Sequence, residues 1–120
     1  MSINVPYDHT ELVTPDIIHA VFNDNRFAER VDEGEFRLEV DPAYDKVLSD
    51  EQCRIKSETS KFAFLPKTRT QRIFIRTMDG YIFCIAHRYL RPDGKLAASG
   101  LIDPKALVHD KILYWTHSIH

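Results

Sequence analysis

The residues from Gln71 to Ser99 constrain the fold of this 120-residue chain more than any other stretch. Two apolar segments, 71–78 and 81–90, flank an Asp79-Gly80 pair, and a Pro-Asp-Gly triplet then turns the chain again. Asp-Gly between apolar segments is typical of a β-hairpin with a two-residue type I′ turn, because glycine and aspartate accept the positive φ that both central residues need. The stretch therefore predicts an antiparallel hairpin at the centre of a sheet.

The remaining segments predict an α+β fold in a single domain over residues 1–120. Thr14, Pro15 and Asp16 are typical of a helix start, and apolar residues recur at helical spacing as far as Phe22. We therefore expect an N-terminal helix packed on a small antiparallel sheet centred on the 71–90 hairpin.

One or two further short helices and several strands complete the prediction. Asp-Pro pairs resemble the Thr-Pro helix start and favour helices at 41–48 and 105–108, whereas residues 26–31 fit either a helical turn or a strand. Residues 1–13 and 116–120 and the connection 49–60 are expected to be irregular. Short strands are predicted at 3–5, 35–40, 61–65, 95–98 and 112–115.

Composition places the chain among small globular proteins without a membrane segment. The hydrophobic fraction is 43%, and the longest apolar runs are far shorter than the roughly 20 residues that span a bilayer. The acidic N-terminus lacks the basic and then apolar regions of a secretory signal. We therefore expect a cytoplasmic protein in which Cys53 and Cys84 are reduced thiols.

The net charge of −2 hides a strong asymmetry along the chain. Residues 1–52 carry 13 acidic and 4 basic side chains, whereas residues 53–120 carry 12 basic and 5 acidic ones. In one interpretation, the acidic half packs beside the basic half and neutralises it. In the other, the basic half binds an anionic partner, such as RNA or another nucleic acid. The sequence leaves both open.

A two-residue turn would fix which hairpin residues share a face of the sheet. Met78 would face Tyr81 and Arg72 would face His87, since directly opposed residues lie on the same side. One face is then entirely apolar and is expected to lie on the first helix. The other is mixed: Arg72, Phe74, Arg76, Tyr81, Phe83, Ile85, His87 and Tyr89. A shift of one residue would move His87 to the apolar face.

The mixed face is the candidate site if it stays open. Arginines neutralise phosphates and aromatic rings stack on bases, and a histidine beside an arginine adds the acid/base capacity that metal-independent RNA cleavage needs. The candidate catalytic residues are His87, Arg72, Arg76 and Tyr89. The candidate nucleic-acid contacts are Arg54, Lys56, Lys61, Lys67, Arg69, Tyr81 and Arg88. If the face is covered, its apolar members form a second small core rimmed by the charged ones.

A helix followed by an antiparallel meander resembles the outline of small RNA-cleaving toxin domains of the barnase and RelE-like kind. The resemblance is one of architecture, without a shared motif, and implies a toxin-like ribonuclease. The alternative is a non-catalytic inhibitor or immunity-type protein whose acidic N-terminal half docks on a basic protein. No cofactor is expected. Nor is a metal site, because His109, His117 and His120 have no cysteine or supporting groups nearby.

Overall fold

A computed structural model describes residues 3–117 and shows an α+β fold with one six-stranded sheet. Along the chain the elements are β1 His9–Leu12, α1 Pro15–Asp24, α2 Phe27–Asp32, β2 Arg37–Val47, α3 Asp50–Ser57, β3 Arg69–Arg76, β4 Ile82–Leu90, β5 Asp103–His109 and β6 Ile112–Trp115. The strand order is β1-β6-β5-β4-β3-β2, with β1 parallel and β5 antiparallel to β6. The α+β class is confirmed, but the sheet is larger than predicted and mixed, and the first element is a strand.

Helix α1 begins where the sequence predicted, at Pro15 after an extended Thr14. The Thr14 side chain makes no capping hydrogen bond, so the start depends on Pro15, whose fixed φ suits the first helical position. Ile18 and Phe22 are buried and turn the apolar stripe toward the core. Of residues 26–31, which fitted either a helical turn or a strand, residues 27–31 are helical and belong to α2.

Both helices predicted from Asp-Pro pairs are wrong. Residues 41–47 continue β2, where the Asp41 carboxylate accepts a hydrogen bond from the Ala43 backbone N–H at 3.0 Å. This strand lies at the edge of the sheet, where a proline without an N–H is tolerated. Residues 105–108 lie in β5, whose run from Ala106 to Val108 is buried. A continuous apolar run is typical of a strand covered on both faces.

The connection predicted at 49–60 contains helix α3. The Ser49 hydroxyl accepts a hydrogen bond from Gln52 N at 3.1 Å, and the Gln52 side-chain oxygen accepts one from Ser49 N at 2.9 Å. This reciprocal pair is a capping box, and capping of this kind contributes about 1 kcal/mol. The two capping bonds therefore fix the start of a helix in a segment with few apolar residues.

Three other local predictions are corrected. The strand predicted at 3–5 is absent, and β1 lies at 9–12 within the segment expected to be irregular. The strands predicted at 61–65 and 95–98 reduce to isolated bridges between Phe62 and Ala98 and between Leu90 and Leu96. Residues 116–117 lie outside the helices and strands, but Thr116 is buried and its N–H donates to the Lys105 carbonyl at 3.1 Å; residues 118–120 lie outside the described part.

The central hairpin closes with a three-residue turn. Thr77 N donates to the Tyr81 carbonyl at 2.8 Å, and Gly80 N donates to the Thr77 carbonyl at 2.9 Å. Gly80 has a φ of 95°, but Asp79 does not have a positive φ, as a type I′ turn would require. The Thr77 hydroxyl favours the longer turn by donating to Asp79 and accepting from Tyr81 N. The predicted two-residue turn is therefore wrong, and Thr77 instead of Met78 lies opposite Tyr81.

Backbone contacts group the chain into two compact units. Unit 1 comprises Met1–Glu39, Ile73–Ala86 and Asp103–His120, and unit 2 comprises Val40–Arg72 and His87–Ile102. Their side chains differ in charge: unit 1 has 6 basic and 12 acidic residues, a balance of −6, and unit 2 has 10 basic and 6 acidic residues, a balance of +4. The asymmetry seen along the chain thus persists in the units. That residues 1–120 form a single domain stays a prediction.

Each unit has its own core. In unit 1, Phe74, Ile82, Ile85 and Ala106 form a buried cluster beside Leu113 and Trp115. The Phe83 ring lies 4.6 Å from that of Phe36 and 5.2 Å from that of Phe27. The apolar members of the predicted mixed face are therefore core residues. In unit 2, the buried cluster is Leu48, Cys53, Phe64 and Ala97.

Candidate functional site

The candidate residues are divided between the two units. Arg76 and Tyr81 belong to unit 1. The Arg76 guanidinium contacts both Glu39 carboxylate oxygens at 3.1 and 3.2 Å and donates to the Gly80 carbonyl at 2.7 Å. Arg76 therefore bonds to Gly80 in the turn of its own hairpin and to Glu39 on β2. The other nine candidate residues belong to unit 2.

Three candidate catalytic residues share one face of the unit 2 strands. His87 Nε2 lies 2.7 Å from the Thr70 hydroxyl oxygen, and the His87 ring stands edge-on to the Tyr89 ring with centroids 4.6 Å apart. Arg72 follows Thr70 by two residues on β3 and so points to the same side. We call Thr70, Arg72, His87 and Tyr89 the histidine cluster. Its members are half-buried.

Neighbouring side chains hold the histidine cluster in place. The Arg72 guanidinium lies over the Tyr44 ring, 3.9 Å from its centre, and 4.0 Å from an Asp41 oxygen. The Tyr89 ring packs against Phe64, with centroids 4.9 Å apart, and Lys56 Nζ lies 3.5 Å from the Tyr89 hydroxyl. The Tyr89 ring is therefore packed, while its hydroxyl stays among polar groups.

The opposite face carries a hydrogen-bonded chain across three strands. An Asp45 oxygen on β2 accepts from Arg69 and from the Gln71 amide, each at 3.1 Å, and the Gln71 oxygen accepts from Arg88 Nε at 2.9 Å. The bond from Gln71 first, and that from Arg69, hold the pKa of Asp45 below its ordinary value despite burial. Burial lowers the pKa of the Arg88 guanidinium, and Asp45 partly offsets this.

A cleft of about 510 Å³ opens on this side of unit 2. Six side chains line it: Val47, Lys67, Arg69, Leu90, Arg91 and Pro92. Three of these are cations and none is acidic. Arg91 donates through Nε and one terminal nitrogen to the Asp93 carboxylate, while Lys67 follows Pro66 in a tight turn with a φ of 67°. We call this the basic cleft.

Carboxylates neutralise some of the basic side chains of unit 2 and leave a surplus. Ion pairs join Arg72 to Asp41, Arg69 to Asp45, Arg54 to Glu58 and Arg91 to Asp93. Two of these acids come from the acidic half of the sequence, so the neutralisation interpretation is partly right. Asp50 and Glu51 have no ion pair in the described part. Six cations of unit 2 have none either: Lys46, Lys56, Lys61, Lys67, Arg88 and Lys95.

Sequence reasoning missed most of the basic cleft. It named Lys67 and Arg69, but not Arg91 or the apolar residues Val47, Leu90 and Pro92. The one local signal was the cation directly before the Pro-Asp-Gly turn. Asp93 Oδ1 accepts both Lys95 N and Arg91 Nε at 3.1 Å and thereby joins the turn to the cation.

Burial and metal chemistry limit the other reactive groups. Cys84 is buried in the core, and burial raises the pKa of its thiol. Cys84 therefore does not form the thiolate that a cysteine nucleophile needs. Among residues 3–117, no group of three or more His, Cys, Asp or Glu side chains is arranged to hold a metal ion. His120 lies outside this part.

Comparison with protein families, curated proteins and solved structures finds no match to this chain. Within the described residues, no helix has the length and apolar character needed to cross a membrane. The cytoplasmic location stays a prediction.

Proposed function

We propose that unit 2 binds nucleic acid, RNA in the first instance, through its cations that lack a carboxylate partner. The observation that carries the proposal is that, within the described residues, six cations of unit 2 form no ion pair, against only two acids of that unit. A cation that forms no ion pair with a carboxylate is available to attract phosphate, and release of counterions from the nucleic acid drives binding. The basic cleft supplies a concave surface within the same unit.

Reversing two of these charges should weaken RNA binding. We expect Lys56→Glu/Lys61→Glu to lower the affinity for a fluorescent single-stranded RNA about 25-fold, because each lost phosphate contact costs about fivefold at about 0.1 M salt. The matched control is Arg37→Glu/Lys111→Glu, which changes the charge equally at the two cations of unit 1 that form no ion pair with residues 3–117. Equal losses in both variants would contradict a site in unit 2.

The histidine cluster supports metal-independent RNA cleavage as a second candidate function. The supporting observation is the 2.7 Å contact of His87 Nε2 with the Thr70 hydroxyl oxygen, which places the imidazole on the face of the strands that Arg72 shares with Thr70. In this proposal His87 takes the proton of the ribose 2′-hydroxyl as its oxygen attacks phosphorus. The bond to the 5′-oxygen breaks, and that oxygen takes a proton from the Tyr89 hydroxyl, while Arg72 stabilises the phosphate charge.

Cleavage is tested with chelator present and a matched histidine substitution. We expect His87→Ala to lower the rate of RNA cleavage about 100-fold or more, because acid/base catalysis of this kind contributes 10²–10⁴-fold. His9→Ala in unit 1 is the control and should leave the rate unchanged. Equal rates in wild type and His87→Ala would remove His87 from the mechanism without affecting the binding proposal.

The competing proposal is an interaction protein that docks on a basic partner through its acidic N-terminal half. The balance of −6 in unit 1 supports it. However, Glu33, Glu35 and Glu39 already pair with Arg26, Arg30 and Arg76. These carboxylates are less available to a partner than the sequence suggested, and nucleic-acid binding by unit 2 is the better-supported function.

A further inference from the structure

The lining of the basic cleft indicates what part of a nucleic acid it would take. We propose that the cleft holds one nucleotide, with its phosphate on Lys67, Arg69 and Arg91 and its base on an apolar floor of Val47, Leu90 and Pro92. This inference rests on the proposed function and deepens it, because it names the ligand of one site. A surface that bound only the phosphates of a nucleic acid would not need apolar residues beside its cations.

The shape and composition of the cleft fit a ligand with one charged and one apolar end. Its volume of about 510 Å³ lies within the range of small-ligand sites, about 300–1,000 Å³. Val47 is 51% exposed at the edge strand β2, so a base lying on it would remove apolar surface from water. No carboxylate in the lining opposes a phosphate.

The cations of the cleft are held in position before a ligand arrives. Asp45 holds Arg69 and Asp93 holds Arg91; the latter pair uses two of the five N–H donors of its guanidinium and leaves three. Lys67 is the third residue of a turn closed by Thr68 N donating to the Leu65 carbonyl at 3.1 Å. Its φ of 67° is one that this position usually gives to glycine or asparagine.

A base must be unpaired to reach the floor. Double-stranded RNA hides its base faces by stacking and pairing, whereas single strands can turn a base outward. The cleft should therefore bind a nucleoside monophosphate better than ribose 5-phosphate, and ribose 5-phosphate about as well as inorganic phosphate.

The test is titration of the whole chain with these three ligands, followed by NMR of methyl groups and by calorimetry. We expect the nucleoside monophosphate to bind at least tenfold more tightly than ribose 5-phosphate and to shift the methyl signals of Val47 and Leu90. Lys67→Asn, which suits a positive φ, should weaken all three ligands about fivefold. Lys111→Asn, which replaces a lysine at a similar positive φ in unit 1, should have no effect.

Equal affinities for the three ligands, or methyl shifts confined to other residues, would overturn the nucleotide site. RNA binding that depends on Lys56 and Lys61, without nucleotide binding in the cleft, would refute this inference alone. Nucleotide binding in the cleft without RNA binding would support the cleft and refute the proposed function.

Discussion

We expect Phe74→Ala to lower the free energy of unfolding by about 3–5 kcal/mol, because it deletes a large buried ring and leaves a cavity. Phe74 is 2% exposed and belongs to the unit 1 cluster with Ile82, Ile85 and Ala106. Small domains are stable by only about 5–15 kcal/mol in total, so the variant should be close to unfolding. Urea denaturation followed by circular dichroism measures the loss.

Met78→Ala is the control for this substitution. Met78 lies in the hairpin turn and is 62% exposed, so its truncation should change stability by no more than about 0.5 kcal/mol. A loss of less than 1 kcal/mol in Phe74→Ala would mean that the predicted mixed face is open in unit 1, contrary to the fold described above.

We expect Asp45→Ala to lower the free energy of unfolding by about 1–3 kcal/mol, because it leaves the amide of Gln71 without an acceptor. Gln71 is 4% exposed, so water does not readily replace the lost bond. Glu58→Ala removes an exposed pair with Arg54 and should cost only about 0.3–0.5 kcal/mol. A similar cost for both variants would show that the chain from Arg69 to Arg88 contributes no more than a surface ion pair.

The effect of Asp45→Ala should depend on pH and should extend to RNA binding. The folded-state pKa of Asp45 is lowered, so its contribution is complete above the unfolded-state pKa of about 3.9 and is lost as pH falls through the folded-state pKa. The stability difference between wild type and variant should be constant near neutral pH and should close in acid.

The same variant frees Arg69 and should tighten RNA binding about fivefold at about 0.1 M salt.

Local signals predicted some elements correctly. Pro15 after Thr14 marked the start of α1, and the apolar segments on either side of Asp79-Gly80 marked β3 and β4. The capping box of Ser49 and Gln52 could also have been recognised, because its spacing is visible in the sequence. These signals succeed because the interactions that set them lie within a few residues.

The errors arose where neighbours distant in sequence decide the structure. Asp41-Pro42 has the form of a helix start, yet its residues belong to an edge strand whose partner is β3. The hairpin turn is one residue longer than predicted because the Thr77 side chain stabilises it.

The candidate site depended on the same long-range pairing. Three of the five arginines chosen from the sequence, Arg76, Arg72 and Arg69, form ion pairs with carboxylates of β2. These ion pairs form because β2 lies beside β3 in the sheet, and this pairing cannot be read from the sequence. Arg91 and the apolar floor of the basic cleft likewise come together only in the folded unit.

The salt dependence of RNA binding tests the central claim most directly. If the surplus cations of unit 2 bind phosphates, the logarithm of the wild-type affinity should fall linearly with the logarithm of salt concentration. The expected slope is about −2 to −4, which corresponds to three to six phosphate contacts on a single strand. No detectable complex at low salt, or an affinity that does not change with salt, would contradict the account.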